Sequence, residues 1–192
     1  VPRSYEAVVY VAGSPGQAST EFFVDCDVVR DGARARRDIF LADQRGTGGS
    51  NPLLCQFYGP PEQPQTYFDA FLPIEKVRAC RATHERTSDL SQYTTAASVE
   101  DLEAIRVALK YSQLTLVGGS YGTRLAMEYL RQYGSRVRAV VLESPVTPAT
   151  HAPERFGQFA QHALDALLDE CLATPECARA FPAIREEARQ VF

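Results

Sequence analysis

The stretch LTLVGGSYGTRLAMEYL, residues 114–130, constrains the fold of this chain more than any other. A run of strand-forming apolar residues stops at two glycines, and apolar residues at helical spacing begin just after Ser120. Gly118, Ser120 and Gly122 match G-x-S-x-G, the pattern of a nucleophile elbow that exposes a serine hydroxyl between a strand and a helix. The pattern predicts that Ser120 is a catalytic nucleophile. The alternative is an ordinary serine in a tight turn.

Strand-like and helix-like patterns alternate around this stretch. Apolar strand-like runs occupy residues 7–12, 38–43, 114–118 and 137–143, and helical patterns occupy 19–29, 98–109 and 123–133. Strands that alternate with helices along the chain are typical of a parallel sheet. Strands whose residues are apolar in succession, rather than alternately apolar and polar, are typical of a sheet that is buried on both faces. The fold class is therefore predicted to be α/β, with helices flanking a parallel sheet.

The remaining segments suggest two parts of unequal size. Residues 51–95 carry five prolines and are predicted to be an irregular insertion; the next helix is predicted to start at Ser98, with Asp101 at capping-box spacing. From Pro153 a helical apolar stripe runs to Cys171, and shorter helices are predicted after Thr174 and from Pro182. We predict one domain at 1–150 and the start of a helical one at 151–192.

Composition narrows the classes of partner. The net charge of −4 gives no general basic character, which argues against nucleic acid, and no apolar run reaches the ~18 residues of a membrane span.

The stretch DQRGTGGSNP, residues 43–52, lacks G-x-G-x-x-G and the lysine of a phosphate-binding loop. We therefore expect no nucleotide cofactor, and interpret it as a turn near the active site with Asp43 and Arg45 in an ion pair or hydrogen-bond network.

The five cysteines show neither C-x-x-C spacing nor a Cys/His zinc pattern, so no metal is expected. One pair encloses a proline-rich segment and another encloses the turn-like LATPE. We favour two disulfides that leave Cys26 over; the alternative is five reduced thiols in a cytoplasmic protein. The favoured pairs are Cys55–Cys80 and Cys171–Cys177.

A second glycine-rich loop, AGSPG at residues 12–16, follows the first predicted strand. In elbow-containing folds the loop at this point supplies an amide to the oxyanion hole, and the residue after the nucleophile supplies the other. The predicted donors are the N–H groups of Ser14 and Tyr121, with Gly13 allowing the backbone to turn inward.

These motifs together resemble the α/β-hydrolase peptidases of the proline iminopeptidase and tripeptidyl aminopeptidase type. Members carry a loop like AGSPGQ, a DQRGTG turn, YTT before the helix that precedes the elbow, GGSYGT at the elbow, and a strand ending in VVLE or VVLD, all present here in order. The resemblance covers residues 7–148 and continues more loosely after Pro153, where the helices look like the start of the family's cap. Members often have histidine where Ala12 stands, and the tripeptidyl branch tolerates alanine.

The resemblance implies a serine aminopeptidase that releases prolyl or tripeptidyl groups from peptide N-termini without a cofactor. It also implies a secreted or periplasmic location, which the favoured disulfides fit; a cytoplasmic location is the alternative. An esterase or lipase of the same fold, and a non-catalytic scaffold that binds a ligand or partner, are the competing hypotheses. The oligomeric state is not predicted.

The base and acid of the triad are not evident in the sequence. In this fold they follow the nucleophile as Asp or Glu and then His, yet His84 precedes Ser120, and no further predicted strand places His151 or His162. Glu143, which ends a strand, is a weak candidate for the acid and a better one for a substrate contact. We expect the Asp and His to lie beyond residue 192, so that the chain is an incomplete hydrolase.

Overall fold

A parallel β-sheet forms the centre of the computed structural model, which describes residues 6–23, 37–60, 62, 70 and 72–191. Within those ranges the sheet has four strands in the order β2-β1-β3-β4, and every neighbouring pair is parallel. The predicted α/β class is confirmed. The strands are β1 (Glu6–Val11), β2 (Asp38–Leu41), β3 (Gln113–Gly119) and β4 (Val137–Glu143).

Helices fill the connections between strands, as a parallel sheet requires. Two short 3₁₀ turns, Leu90–Gln92 and Gly134–Arg136, precede α3 and β4 respectively. The α-helices of the described ranges are α1 (Ser19–Phe23), α2 (Ile74–His84), α3 (Thr95–Ala108), α4 (Tyr121–Tyr133), α5 (Ala152–Ala173), α6 (Pro175–Ala180) and α7 (Ile184–Val191).

The core lies on both faces of β1, which explains why five consecutive residues of this strand, 7–11, are uncharged and buried. On one face Val9 and Val11 pack with the apolar sides of α3 and α4, including Leu102 and Tyr129. On the other face Val8, Tyr10 and Ala12 form a smaller cluster. The sheet and its helices thereby hold the carboxyl end of β1 firmly against β3, where the candidate site lies.

The predicted start of α3 at Ser98 is wrong. The helix begins at Thr95, and the Thr94 hydroxyl accepts a hydrogen bond from the Ala97 N–H at 3.2 Å. Ser98 is buried within the helix. Thr94 and Ser98 lie one turn apart, and the hydroxyl group of either residue could cap a helix. Thr94 is the cap in the structure, and Ser98 is therefore available to pack within the core.

The prediction of an irregular segment at 51–95 is also wrong in part, because it contains α2. No residue of α2 is buried, so the helix has no apolar stripe by which sequence periodicity could find it. Contacts with residues 54–57 hold it instead. These are the Cys55–Cys80 disulfide, a hydrogen bond from Lys76 Nζ to the Phe57 carbonyl (2.8 Å) and one between His84 Nε2 and the Leu54 carbonyl (3.1 Å).

The predicted helix at 19–29 is described only as α1, and its continuation, with Cys26, lies outside the described residues. The predicted strands, by contrast, agree with the structure to within two residues at each end.

The segment Ala149–Phe192 forms a compact unit of its own, separate from Val1–Pro148. It contains the predicted helices as α5, α6 and α7, and the predicted Cys171–Cys177 disulfide links α5 to α6. The side chains of Leu168 and Cys171 are buried. Its assignment as the start of a cap stays a prediction. In the part of the chain that the structure describes, no helix has the length and apolar character to cross a membrane.

Candidate active site

The backbone at Ser120 has the geometry of a strained strand-to-helix turn. Ser120 lies between β3 and α4 with φ 50° and ψ −119°, a conformation that non-glycine residues rarely adopt. Its side chain makes no capping hydrogen bond to α4, and the residue is exposed. The turn is tied to the sheet by the Ser120 N–H, which donates to the Glu143 carbonyl at 2.9 Å. The hydroxyl is thus presented outward rather than used in structure.

The two glycines of the pattern are required by the packing around the turn. A Cβ atom on Gly118 would lie 2.5 Å from the Gly122 carbonyl oxygen, and one on Gly122 would lie 2.1 Å from the Val11 carbonyl oxygen. The intervening Gly119 has no such neighbour within 4 Å. Strand β1, strand β3 and helix α4 therefore approach one another closely at the G-x-S-x-G glycines.

Thr123 supports the elbow and was missed by the sequence reasoning. It is fully buried; its hydroxyl donates to the Ser120 carbonyl (2.6 Å) and accepts from the Val146 N–H (2.8 Å). It thereby joins the elbow to the segment after β4. The G-x-S-x-G pattern does not extend to this position, and the only available signal was the threonine of GGSYGT.

The AGSPG loop lies directly against the elbow. A Cβ on Gly13 would be 2.9 Å from the Ser120 Cβ, so a larger residue there would displace the candidate nucleophile. Ser14 has φ 35°, and the Gln17 N–H donates to its carbonyl at 3.1 Å, which closes the loop as a turn.

The two candidate donors of the oxyanion hole are the backbone N–H groups of Ser14 and Tyr121. In the described ranges neither the Ser14 N–H nor the Tyr121 N–H donates to a protein acceptor. Tyr121 is the first residue of α4, where helix N–H groups lack intrahelical partners and the helix dipole favours negative charge. A hydrogen bond between the Tyr121 hydroxyl and Thr95 Oγ1 (2.8 Å) connects this residue to α3. The arrangement is suited to stabilising a developing oxyanion.

Asp43 and Arg45 take part in two separate networks rather than in a pair. Arg45 donates two 2.7 Å hydrogen bonds to the Asp101 carboxylate and one to the Gln92 carbonyl. Asp43 accepts from the Thr20 N–H (2.9 Å), the Thr20 hydroxyl and the Gly49 N–H (3.0 Å). The 43–52 turn is thereby held to α3 on one side and to α1 on the other.

The hydrogen bonds to the Asp43 carboxylate are expected to make the free energy of unfolding depend on pH. Burial by itself would raise the pKa of Asp43, but the hydrogen bonds from Thr20 and Gly49 outweigh it and lower the pKa below its ordinary value. A carboxyl with a depressed folded-state pKa stabilises the fold above its unfolded pKa of about 3.9, and this contribution is lost as pH falls through the folded-state pKa. In urea unfolding, wild type should therefore exceed Asp43→Asn in stability at about pH 6, and the difference should shrink toward pH 3. A constant difference would contradict this.

Within the Val1–Pro148 unit, no described histidine forms a hydrogen bond with the Ser120 hydroxyl. His84 is engaged with the Leu54 carbonyl beside the Cys55–Cys80 disulfide. His151 and His162 are both exposed and belong to the Ala149–Phe192 unit. Cys55, Cys80 and His84 place potential ligand atoms within 4.8 Å of one another, but the two sulfur atoms are joined in the disulfide. They do not offer thiolate ligands in this state.

Comparison with known proteins is consistent with this geometry. The family model described as "alpha/beta hydrolase fold" matches residues 6–178. The tripeptidyl aminopeptidase of Streptomyces lividans is 29% identical over 155 residues, which cover 74% of this chain and 29% of that protein. The proline iminopeptidase of Chitinophaga pinensis is 28% identical over 129 residues, which cover 60% of this chain and 42% of that protein. The chain thus spans less than half the length of these relatives.

A solved structure agrees at the level of the fold. The proline iminopeptidase of Mycobacterium smegmatis superimposes with a TM-score of 0.53 and 18% identity, covering 93% of this chain and 48% of that one.

Proposed function

The chain belongs to the alpha/beta hydrolase fold family, and from that premise we propose that it carries the nucleophile and the oxyanion hole of a serine aminopeptidase. The observation that carries the proposal is the meeting of the elbow with the AGSPG loop. A strained, exposed Ser120 stands beside two N–H groups that have no protein acceptor in the described ranges.

The proposed reaction is acyl transfer through a covalent intermediate. Ser120 Oγ forms a bond to the carbonyl carbon of the substrate while a histidine takes its proton, and the N–H groups of Ser14 and Tyr121 donate to the oxyanion. The carbon–nitrogen bond then breaks, and the leaving amine receives that proton. Water hydrolyses the acyl-enzyme and restores the hydroxyl. The histidine and its acid are not assigned to described residues.

Peptides are the proposed substrates because the two relatives are named tripeptidyl aminopeptidase and proline iminopeptidase. An esterase of this fold would use the same elbow, so the acyl group accepted separates the two functions. An aminopeptidase should hydrolyse aminoacyl arylamides faster than an acetate ester, and an esterase the reverse. We also propose a secreted or periplasmic location, since the two disulfides persist best in an oxidising compartment.

Labelling by a fluorophosphonate tests the nucleophile. The full-length protein is treated with the probe and its intact mass is measured beside Ser120→Ala. We expect one adduct on wild type and none on the variant, because such probes react with a serine whose base is in place. Ser14→Ala is the control, since its proposed role uses the backbone N–H and it should label like wild type. A folded wild-type protein without an adduct, or an adduct that persists in Ser120→Ala, would overturn the proposal.

A further inference from the structure

Building on the proposed function, we propose that the Glu143 carboxylate binds the free α-ammonium group of the substrate and thereby favours release of a single N-terminal residue. Glu143 is the last residue of β4 and pairs with Gly119 across the sheet. Its carbonyl accepts the Ser120 N–H at 2.9 Å. No other acidic residue is tied so directly to the elbow by the contacts of the described residues.

The Glu143 carboxylate is also available. By contrast, Asp43 accepts hydrogen bonds from Thr20 and Gly49, and Asp101 of α3 is paired with Arg45. Glu143 is exposed, and its carboxylate has no partner in the parts of the chain that the structure describes. An unpaired anion beside the nucleophile is complementary to a cation carried by the substrate.

The distance between Glu143 and the elbow determines how far from the attacked carbonyl carbon the substrate's ammonium group must lie. Neighbouring strands lie about 4.8 Å apart, so the Glu143 backbone is one strand spacing from the elbow. When a single residue is released, the ammonium nitrogen is two bonds from the carbon that Ser120 attacks. A tripeptidyl group moves the ammonium two residues away, which adds about 7 Å in an extended chain. A glutamate fixed beside the elbow therefore suits the shorter acyl group.

Binding of small amides tests this without requiring turnover. The ligands are L-prolinamide and N-acetyl-L-prolinamide, titrated at about pH 6, where a free α-amine is protonated. Dissociation constants come from ¹⁵N–¹H chemical-shift changes of wild type, Glu143→Gln and the control Glu187→Gln, which alters an exposed glutamate of α7. All three proteins also carry Ser120→Ala, so that the amides are bound but not hydrolysed. The same titrations with Ala-Ala-prolinamide and its N-acetyl form provide the length control.

We expect wild type and Glu187→Gln to bind prolinamide about three- to fivefold more tightly than its acetylated form, the range of an exposed ion pair. Glu143→Gln should lose this preference, and the tripeptide pair should show none that depends on Glu143. Equal binding of the two prolinamides by wild type, an unchanged preference in Glu143→Gln, or absence of binding overturns the inference. Fluorophosphonate labelling reports on Ser120 independently, so failure of the proposed function would be recognised separately.

Discussion

Replacing Gly122 by alanine is expected to destabilise the protein by about 3 kcal/mol, the upper part of the range for overpacking a dense site. The added Cβ would lie 2.1 Å from the Val11 carbonyl oxygen and 2.9 Å from that of Ala12. Both are backbone atoms at the buried carboxyl end of β1 and cannot rotate away. Relief requires α4 to move from the sheet, which would also displace Ser120.

Gly119→Ala is the matched control, because it adds the same methyl group three residues earlier, where nothing lies within 4 Å. Its stability should stay within about 1 kcal/mol of wild type, the usual effect of glycine-to-alanine exchange in a strand. Urea unfolding followed by circular dichroism measures both variants, and fluorophosphonate labelling reports on the elbow. Equal stability of the two would show that β1 and α4 are not in the contact described.

The strands and the tight strand-to-helix turn at Ser120 were predictable because their sequence pattern reflects local physics. Strand β1 is buried on both faces and lacks charged residues from Ala7 to Val11. At the elbow, Gly118 and Gly122 are each required by a contact that any side chain would violate. The bridges Cys55–Cys80 and Cys171–Cys177 were predicted from the segments that they enclose, and both are present.

Features that depend on distant contacts were not predictable in the same way. Helix α2 is held by the Cys55–Cys80 disulfide and by two hydrogen bonds to carbonyl groups. None of its residues is buried, so its sequence lacks the helical spacing of apolar residues by which a helix is recognised. Thr123 acts through Val146, and Thr95 through Tyr121, and no local pattern marks either pair. A triad is likewise assembled by tertiary structure, which is why the sequence offers Ser120 as a candidate nucleophile without a candidate for its base.

The second large effect is expected at Arg106, whose replacement by alanine should destabilise the fold by about 3 kcal/mol. Arg106 forms a two-pronged ion pair with Glu103, and both side chains are largely buried, with 9% and 17% exposed. Arg106 also donates to the Tyr111 carbonyl, and Glu103 accepts from the Tyr129 hydroxyl at 2.6 Å. Removing the guanidinium takes the charged donor away from the Tyr111 carbonyl and from the Glu103 carboxylate, which keeps only its hydrogen bond from Tyr129 among those of the described residues.

Arg131→Ala provides the comparison, because Glu128 and Arg131 form an ion pair at the same spacing on α4. The Arg131 side chain is 69% exposed, so its loss should cost much less stability than the loss of Arg106, because water screens exposed helical ion pairs. Urea midpoints and slopes of both variants separate a loss of stability from a change in the unfolded state. The comparison tests whether burial makes the Arg106 pair important. If both substitutions lower the free energy of unfolding equally, the hydrogen bonds around Glu103 do not hold α3 to α4. The position of Tyr129 in the core must then depend on apolar packing alone.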